Sequence, residues 1–361
     1  MGVTESAIIA LSGGVDSSVA ALLTRDAGLK CVGVTMKLFD NEDMAGGARG
    51  DRACCSLKDA DDAARVCGVL GIPFYVFDFT EDFRREVMER FAGGYAAGRT
   101  PNPCIDCNRY IKYDRLYRRA MGMGFDRVVT GHYARIGRAP GTGRWLLKRA
   151  VDETKDQSYV LYGLTQNQLA HTAFPLGDMR KNEVRDLAEA NGFVNARKRD
   201  SQDICFAPDG RYARFIENFS GREWPPGNFV DADGKVLGRH EGIIRYTIGQ
   251  RKGLGRAFGR PMYVAAIRPE TNEVVLGADA ELWKREARVG DVNLISAPRL
   301  DKPVRVTAKI RYNQQDSPAV AEQVGPDEIR LTFDEPQRAV TRGQAAVLYD
   351  GDTVVGGGAI L

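Results

Sequence analysis

Ala7-Ile8-Ile9-Ala10-Leu11-Ser12-Gly13-Gly14-Val15-Asp16-Ser17-Ser18 is the stretch of sequence that decides the fold. It begins with a continuous apolar run, as in a strand that is buried on both faces. The two glycines allow the backbone to turn tightly, and a helical pattern follows over residues 17–27. A strand, a tight turn and a helix in this order present backbone amides and the positive end of a helix dipole to an anion. The stretch therefore predicts a phosphate-binding loop in an α/β domain.

Further apolar runs continue the alternation of strand and helix along the first half of the chain. Strands are predicted over residues 31–36, 74–77 and 127–130, and helices over residues 56–70, 80–97, 110–121 and 182–190. Ser56 and Asp59 have the spacing of a capping box at the start of the second helix. Strands that alternate with helices predict a doubly wound, Rossmann-like parallel sheet with helices on both faces.

The pattern changes after residue 222. Glu223-Trp224-Pro225-Pro226-Gly227-Asn228 interrupts any helix, and β-branched segments separated by glycines follow it. Pro298 and Pro303 mark a second break before strand-like runs at residues 304–312, 328–333 and 345–349, which are typical of a small antiparallel β-barrel. We predict a catalytic α/β domain at residues 1–220, a small central domain at 221–290 and a C-terminal β-barrel at 291–361.

Composition limits the classes of protein and partner. The chain has 361 residues, of which 43% are hydrophobic and 27% charged, so a disulfide-stapled miniature and a disordered protein are excluded. The net charge is only +3, so any surface that binds nucleic acid must come from a local cluster of basic residues. Residues 245–260 are such a cluster, with five basic and no acidic residues. An odd number of cysteines and a start without an apolar leader predict a cytoplasmic protein, and the polar residues in 157–177 argue against membrane contact.

The chemistry of the glycine turn indicates which phosphate it binds. The turn lacks the lysine of the Walker P-loop, and Asp16 suits a Mg²⁺ ion shared with a leaving pyrophosphate. The alternative is a plain turn whose serines only cap the helix. The motif resembles the PP-loop of the ATP pyrophosphatases, which cleave ATP to AMP and pyrophosphate. That resemblance, with two further positions at strand ends, implies an ATP site formed by Ala10, Leu11, Ser12, Gly13, Gly14, Val15, Asp16, Ser17, Met36 and Gly131.

Cysteines supply the second candidate chemistry. Cys104 and Cys107 lie three residues apart at the start of a helical segment, where a helix dipole stabilises a thiolate, and Cys205 lies far downstream. Such thiols can act as nucleophiles or as ligands. A zinc site would need a fourth ligand that the spacing does not supply. The remaining cysteines, Cys31, Cys54, Cys55 and Cys67, are best interpreted as buried thiols.

The motifs in combination resemble one family, the tRNA-specific 2-thiouridylases of the MnmA type, nearly end to end. The resemblance implies that ATP adenylates O2 of a wobble uridine in tRNA and that sulfur then replaces this oxygen. It is carried by Ser12-Gly-Gly-Val-Asp-Ser17, Thr100-Pro-Asn-Pro103, Cys107-Asn108, Gly131-His-Tyr133, Lys155-Asp-Gln-Ser-Tyr159, Asp203-Ile-Cys-Phe206 and Tyr246-Thr-Ile-Gly-Gln-Arg-Lys-Gly253.

The same resemblance assigns roles to individual residues. Cys205 would carry the sulfur as a persulfide, received from a cysteine desulfurase or a sulfur-relay protein. Cys107 would be the partner thiol, which attacks the Cys205 sulfur and closes a transient disulfide with Cys205, so the two thiols are expected to meet beside the nucleotide. Contacts to tRNA are implied for Asn102, Pro103, Cys104, His132, Lys155, Asp156, Gln157, Arg311, Tyr312 and Gln344.

Cys104 departs from the family pattern, because many members carry an aspartate there that is assigned proton transfer. The substitution creates a set of Cys104, Cys107 and Cys205 that could hold a [4Fe-4S] cluster with one iron open to sulfide, as an alternative to the persulfide route. Two rival functions also remain open at this point. One is a PP-loop synthetase that amidates a small metabolite, and the other is a tRNA-binding protein whose nucleotide loop only switches conformation.

Overall fold

The computed structural model describes residues 5–40, 57–200 and 203–361, which form two compact units. The first unit contains the described residues up to Val87, Cys104–Arg211 and Asp352–Val354. The second contains Met88–Pro103, Tyr212–Gly351 and Val355–Leu361. The chain thus passes between the units several times, which the order of elements in the sequence did not predict.

A parallel sheet forms the centre of the first unit. Its strands are β1 (Ser6–Ala10), β2 (Lys30–Lys37), β3 (Phe74–Asp78), β4 (Arg127–Thr130) and β7 (Thr172–Ala173), in the spatial order β3-β2-β1-β4-β7. A hairpin, β5 (Arg135–Arg138) and β6 (Trp145–Lys148), lies outside this order. The chain moves from β1 to β2 on one side and reaches β4 on the other, so a topological switch point lies between β1 and β4. Ligands of open α/β sheets bind at such a point, beyond the carboxyl ends of the strands.

Helices connect the strands of the first unit. They are α1 (Val15–Asp26), α2 (Leu57–Leu70), α3 (Thr80–Phe83), α7 (Ser158–Leu161), α8 (Gln166–Ala170) and α9 (Lys181–Ala190). A π-helical segment, Arg84–Glu89, continues α3 into α4 (Arg90–Ala96). A second one, Cys107–Leu116, joins α5 (Pro103–Asp106) to α6 (Tyr117–Gly122). Helix α1 packs on α2 and α9 over a core that contains Val19, Leu22, Val66 and Val184.

Two sequence expectations need correction here. Helix α1 begins at Val15 rather than Ser17, so Asp16 and Ser17 lie in its first turn. Strand β3 is an edge strand, and Tyr75 and Val76 are more than half exposed, so the prediction of burial on both faces is wrong for this strand. The predicted capping residue Ser56 lies outside the described residues. Among the described residues, no helix is long and apolar enough to cross a membrane.

The second unit is rich in β-structure. Strands β8 (Gly227–Val230), β9 (Val236–His240), β10 (Tyr263–Arg268) and β11 (Glu273–Gly277) form one sheet in the order β10-β11-β8-β9. The remaining strands form an antiparallel barrel in the order β12-β15-β14-β13-β16-β17, which closes by pairing of β12 with β17. They are β12 (Trp283–Leu294), β13 (Val304–Lys309), β14 (Ser317–Gly325), β15 (Glu328–Arg338), β16 (Ala345–Asp350) and β17 (Thr353–Ile360). Closure removes the exposed sheet edges that invite aggregation.

Aromatic rings join the two helices of the second unit, α4 and α10 (Tyr212–Ser220). The Tyr95 ring of α4 lies 4.7 Å from that of Tyr212, the first residue of α10. Phe91 and Phe215 pack with ring centroids 6.2 Å apart. Tyr95 and Tyr212 each share a side-chain hydrogen bond with Thr247, which belongs to the motif of residues 246–253. Helices α4 and α10 therefore position the segment that follows Tyr246.

Candidate nucleotide and sulfur-transfer site

The glycine loop after β1 has the geometry of an anion site. Gly13 adopts φ +69°, and a Cβ atom there would lie 2.3 Å from the carbonyl oxygen of Asp59. The hydroxyl groups of Ser17 and Ser18 both donate to the Gly14 carbonyl at 3.0 Å, and no side chain caps α1 at Gly14. Because the serines close the loop rather than cap the helix, the first-turn amides of α1 remain directed outward. The plain-cap interpretation is therefore wrong.

Gly131, at the end of β4, approaches the same loop from the other side of the switch point. A Cβ atom at Gly131 would lie 2.6 Å from the Ser17 amide nitrogen and 2.7 Å from the Asp16 carbonyl carbon. Two backbone segments can come this close only where one residue is glycine. The loop after β1 and the end of β4 thus form a cradle lined by main chain, as a bound polyphosphate requires.

Lys198 and Asn195 fix the glycine loop through hydrogen bonds to the Gly13 carbonyl. Lys198 Nζ donates to the Gly13 carbonyl at 3.0 Å, and Asn195 Nδ2 donates to the same oxygen at 3.0 Å. Lys198 also pairs with Asp59 at 2.5 Å and with Asp62 at 2.8 Å. Burial alone would lower the pKa of Lys198, but the hydrogen bonds that it donates to the Asp59 and Asp62 carboxylates raise it. The ammonium group is therefore charged, and it fixes the glycine turn to α2.

Replacement of Lys198 by methionine is expected to destabilise the protein by about 2 kcal/mol. This is less than the cost of breaking a fully buried ion pair, because the Lys198 side chain is 30% exposed and solvent screens its charge. Asp59 is 7% exposed and loses a close positive charge in this variant. Urea unfolding measures the difference. Arg197→Met is the matched control, since Arg197 is 88% exposed and its pair with Glu189 contributes under about 0.5 kcal/mol. Equal effects of the two variants would contradict the assignment.

A chain of alternating charges begins at Asp16. Its carboxylate accepts hydrogen bonds from Lys181 Nζ at 2.7 and 2.8 Å and from the Tyr133 hydroxyl at 2.8 Å. Lys181 also pairs with Asp200 at 2.8 Å, and Lys155 pairs with Asp200 at 2.8 Å. Burial would raise the pKa of Asp200, but the hydrogen bonds and charges of Lys155 and Lys181 lower it to about 2. Asp200 is thus a carboxylate at neutral pH.

The segment Lys155-Asp156-Gln157 was predicted to contact tRNA, and it also stabilises the first unit. Asp156 is buried and accepts bonds from the Ala150 amide at 3.0 Å and the Ser158 hydroxyl at 2.7 Å. Gln157 Oε1 accepts the Tyr133 amide at 3.0 Å. These contacts place Tyr133 where it meets Asp16. Contact of all three residues with tRNA stays a prediction.

His132 is buried behind the cradle. Its Nε2 lies 3.3 Å from Lys112 Nζ, and its Nδ1 lies 2.7 Å from Thr130 Oγ1 and 3.2 Å from the Tyr113 hydroxyl. Because an ammonium group only donates, Nε2 is the acceptor and Nδ1 carries the proton. Burial and the Lys112 charge hold the pKa of His132 well below 6.5. The ring is neutral, and its predicted contact with tRNA is not tested by this arrangement.

Stability is expected to fall as the pH drops below about 6.5, because the unfolded chain then binds protons that the native His132 rejects. Each such histidine contributes at most about 1.4 kcal/mol per pH unit. His240, buried in the second unit, has its pKa lowered by desolvation and adds a term of the same sign. When the free energy of unfolding is measured in urea between pH 7 and 5, its change with pH should be smaller for His132→Gln than for the native chain. A slope unchanged by either His132→Gln or His240→Gln would contradict the prediction.

The cysteines divide into two groups. Cys31 and Cys67 are buried, and burial raises the pKa of both thiols, that of Cys67 to about 11, so the prediction of inert buried thiols is confirmed for them. Cys54 and Cys55 lie outside the described residues. Cys104 is exposed at the start of α5, whereas Cys107 and Cys205 are half-buried.

Cys107 and Cys205 lie in segments that are attached to the same helix. Phe206, next to Cys205, packs edge-on against Phe83 of α3 with ring centroids 5.8 Å apart. Asp82 of α3 pairs at 3.0 Å with Arg115 of the π-helical segment that begins at Cys107. In the described part of the chain, no group of three or more His, Cys, Asp or Glu side chains could hold a metal ion. Cys104, Cys107 and Cys205 therefore do not fit a [4Fe-4S] cluster in this arrangement.

In the second unit, the segment Thr100-Pro-Asn-Pro103 is held to the end of the barrel. The Thr100 amide donates to the Arg342 carbonyl at 2.9 Å, and Gln344 Nε2 donates to the Thr100 carbonyl at 2.6 Å. Arg311 donates to the Ala339 carbonyl at 2.6 Å. The Lys309 ammonium group lies over the Tyr312 ring, 5.6 Å from the ring centroid. Predicted tRNA contacts that are far apart in sequence, Asn102, Pro103 and Gln344, are thus brought to one part of this unit.

Comparison with known proteins covers the whole chain. Family models match residues 5–209 (tRNA methyl transferase HUP domain), 213–278 (tRNA methyl transferase PRC-barrel domain) and 284–360 (Aminomethyltransferase beta-barrel domain). The tRNA-specific 2-thiouridylase MnmA of Clostridioides difficile (strain 630) is 50% identical over 360 residues, which cover 100% of this chain and 99% of that protein. MnmA of Lachnoclostridium phytofermentans is 49% identical over 357 residues, covering 99% of each. The chain belongs to the MnmA family.

Membership of the MnmA family confirms the predicted fold class. The parallel Rossmann-like sheet, the middle domain and the closed C-terminal barrel correspond in order to the HUP, PRC-barrel and beta-barrel models. Sequence reasoning missed Lys181, Asn195, Lys198 and Asp200 as site residues of this MnmA chain. The basic run Arg197-Lys198-Arg199 before Asp200 was a local signal for one of them, whereas Lys181 reaches Asp16 only through the packing of α9 on α1.

Proposed function

We propose that this chain is an ATP-dependent tRNA-uridine 2-sulfurtransferase, which adenylates O2 of the wobble uridine and replaces that oxygen by sulfur. The observation that carries the proposal is the main-chain cradle of Gly13, Gly14 and Gly131 with Asp16 in the first turn of α1, in a unit that also contains Cys107 and Cys205. One half of the chemistry needs a polyphosphate site and the other half needs thiols. Relatives that share its length are named for this reaction.

The cradle fits the ATP that the reaction consumes. First-turn amides of α1 and the helix dipole would stabilise the phosphates, and Gly131 lets the end of β4 pack directly against the backbone of Asp16 and Ser17. A Mg²⁺ ion, held by Asp16 and phosphate oxygens, would neutralise charge on the departing pyrophosphate. Single carboxylates with substrate oxygens are a usual setting for Mg²⁺. Met36, at the end of β2, is buried and suits an adenine pocket.

The thiols supply the second half-reaction. The uracil O2 attacks the α-phosphorus of ATP, and pyrophosphate leaves, which makes C2 electrophilic. The terminal sulfur of a Cys205 persulfide then forms a bond to C2. Cys107 attacks the Cys205 sulfur, the S–S bond to the transferred sulfur breaks, and AMP departs with O2. This leaves 2-thiouridine and a Cys107–Cys205 disulfide, which an external thiol must reduce before a persulfide donor protein reloads Cys205.

Binding of tRNA is assigned to both units. Asn102, Pro103 and Gln344 are candidates for contacts with bases, and Arg251 and Lys252 are exposed basic residues suited to phosphates. The second unit supplies the barrel and the middle domain for this purpose. The cytoplasm is the compartment proposed, since the cysteine pair must cycle where thiols are kept reduced.

Reconstitution tests the proposal. The full-length protein is incubated with Mg²⁺, ATP, unmodified tRNA and a cysteine desulfurase with cysteine, and the nucleosides are analysed by mass spectrometry. We expect 2-thiouridine, with AMP and pyrophosphate formed only when tRNA is present. AMP formation without tRNA but with ammonia and a small acid would instead favour an amidating synthetase. No nucleotide cleavage at all would favour a tRNA-binding protein that only switches conformation.

A further inference from the structure

We infer that Gln344 is a positioning residue, which acts on the target base through Thr100 rather than through a tRNA contact of its own. The inference rests on the proposed function, because it takes Asn102 and Pro103 as residues that contact the base. Gln344 Nε2 donates to the Thr100 carbonyl at 2.6 Å. Every residue type has this carbonyl, so the contact sets where the backbone lies before the base-contacting residues.

The backbone of Gln344 is fixed at the end of the barrel. Its amide donates to the Thr341 carbonyl at 3.2 Å, and its carbonyl accepts the Ile360 amide of β17 at 2.8 Å. The preceding residue, Gly343, donates its amide to the Ile360 carbonyl at 2.8 Å. The Gln344 side chain therefore extends from backbone that is bonded to the barrel, and it can hold Thr100 at a defined place.

The connector, residues 339–344 between β15 and β16, packs directly against Thr100. Gly343 adopts φ +85°, and a Cβ atom there would lie 2.9 Å from Arg99 Cβ and 3.0 Å from the Thr100 nitrogen. The Thr100 amide donates to the Arg342 carbonyl at 2.9 Å. Thr100 is thus bonded to the connector through both its amide and its carbonyl, and the second of these bonds depends on the Gln344 side chain.

Helix α4 contacts the same segment at Pro101. A Cβ atom at Gly94 would lie 2.7 Å from Pro101 Cγ, and the Arg99 amide donates to the Gly94 carbonyl at 2.9 Å. The Pro101 ring fixes its own φ and restricts the backbone of the residue before it. Few rotations therefore remain between Thr100 and Asn102, and a displacement of Thr100 is passed on to Asn102.

Loss of the Gln344 donor should affect the rate more than the affinity. Without it, the segment is no longer held at the Thr100 carbonyl, and the base would rest away from the position that the reaction needs. A misplacement of about 1 Å can cost about 100-fold in rate. Most of the affinity for a nucleic acid comes from contacts with its phosphates, and these do not depend on the Gln344 amide.

Gln344→Met tests the inference in the full-length protein, because methionine has a similar length and no charge but cannot donate. In the reconstituted reaction, kcat for 2-thiouridine formation should fall about 10- to 100-fold. The Kd for unmodified tRNA, measured by filter binding, should change less than about threefold. Hydrogen exchange of the Thr100 amide without tRNA, followed by mass spectrometry, should become about fivefold faster, because the segment opens more often.

Gln323→Met is the matched control. Gln323 lies in β14 of the same barrel, and its Oε1 accepts the Leu300 amide at 2.9 Å. This variant should keep the native kcat and the native exchange at Thr100. A native chain that forms no 2-thiouridine overturns the proposed function, and exchange at Thr100 then still tests the attachment. Unchanged exchange in Gln344→Met, or a weaker Kd for tRNA with an unchanged kcat, overturns only the positioning role.

Discussion

Replacement of Cys205 or Cys107 by serine is expected to lower 2-thiouridine formation by about 10⁴-fold or more, the order seen when an enzyme loses its nucleophile. A serine hydroxyl can neither carry a persulfide nor open one at neutral pH. Adenylation does not use these thiols, so binding of ATP and tRNA-dependent release of pyrophosphate should persist in both variants. The measurement is mass spectrometry of tRNA nucleosides, with pyrophosphate release followed in parallel.

Cys104→Ser separates the persulfide route from the cluster route. Cys104 is exposed, and under the persulfide route its loss should reduce thiolation less than about tenfold, as for a residue outside the covalent steps. If Cys104→Ser abolishes thiolation like the other two replacements, and anaerobically purified native protein contains stoichiometric iron and acid-labile sulfide, the cluster route is correct. Retention of full thiolation by Cys205→Ser would remove both routes.

Gly131→Ala is expected to destabilise the first unit by about 1–3 kcal/mol and to abolish detectable ATP binding. The added Cβ would lie 2.6 Å from the Ser17 nitrogen, so β4 and the first turn of α1 must move apart. Both elements are backbone of the cradle, and neither can yield as a flexible side chain would. Unfolding in urea and calorimetry with ATP measure the two effects.

Gly68→Ala is the control, in which the added methyl group is expected to stabilise the protein rather than destabilise it. Gly68 lies within α2, and a Cβ atom there would meet nothing within 4 Å. Alanine at this helical position should stabilise by about 0.5–1 kcal/mol, because glycine loses more backbone entropy on folding. ATP affinity should not change in this variant. Native ATP affinity in Gly131→Ala would refute the requirement for close approach at the switch point.

The location of the nucleotide site could be predicted because its signals are local. A buried strand, two glycines and a helix lie in consecutive residues, and Gly131 follows another strand whose carboxyl end reaches the same edge of the sheet. The same local reasoning gave the barrel strands β13, β15 and β16. It missed β7, which has only two residues, and placed the start of α1 two residues late.

Other features depended on contacts between distant residues. The ion pairs of Asp16, Lys181 and Asp200 join three positions that are separated by 165 and 19 residues in the chain. Hydrophobic periodicity says nothing about which helix packs on which, so no spacing rule could select Lys181. The assignment of the segment Met88–Pro103 to the second unit likewise follows from its packing against α10 and the barrel end.

The sequence by itself determined the order of strands and helices, the glycine turn with Asp16, and the cysteines available for sulfur chemistry, because backbone preference and side-chain reactivity are properties of short segments. Only the tertiary structure decided that Lys198 holds the turn from behind, that Lys181 is shared by Asp16 and Asp200, and that the three cysteines do not form a metal-ligand group within the described residues. These depend on distances between segments, which packing of the whole unit sets.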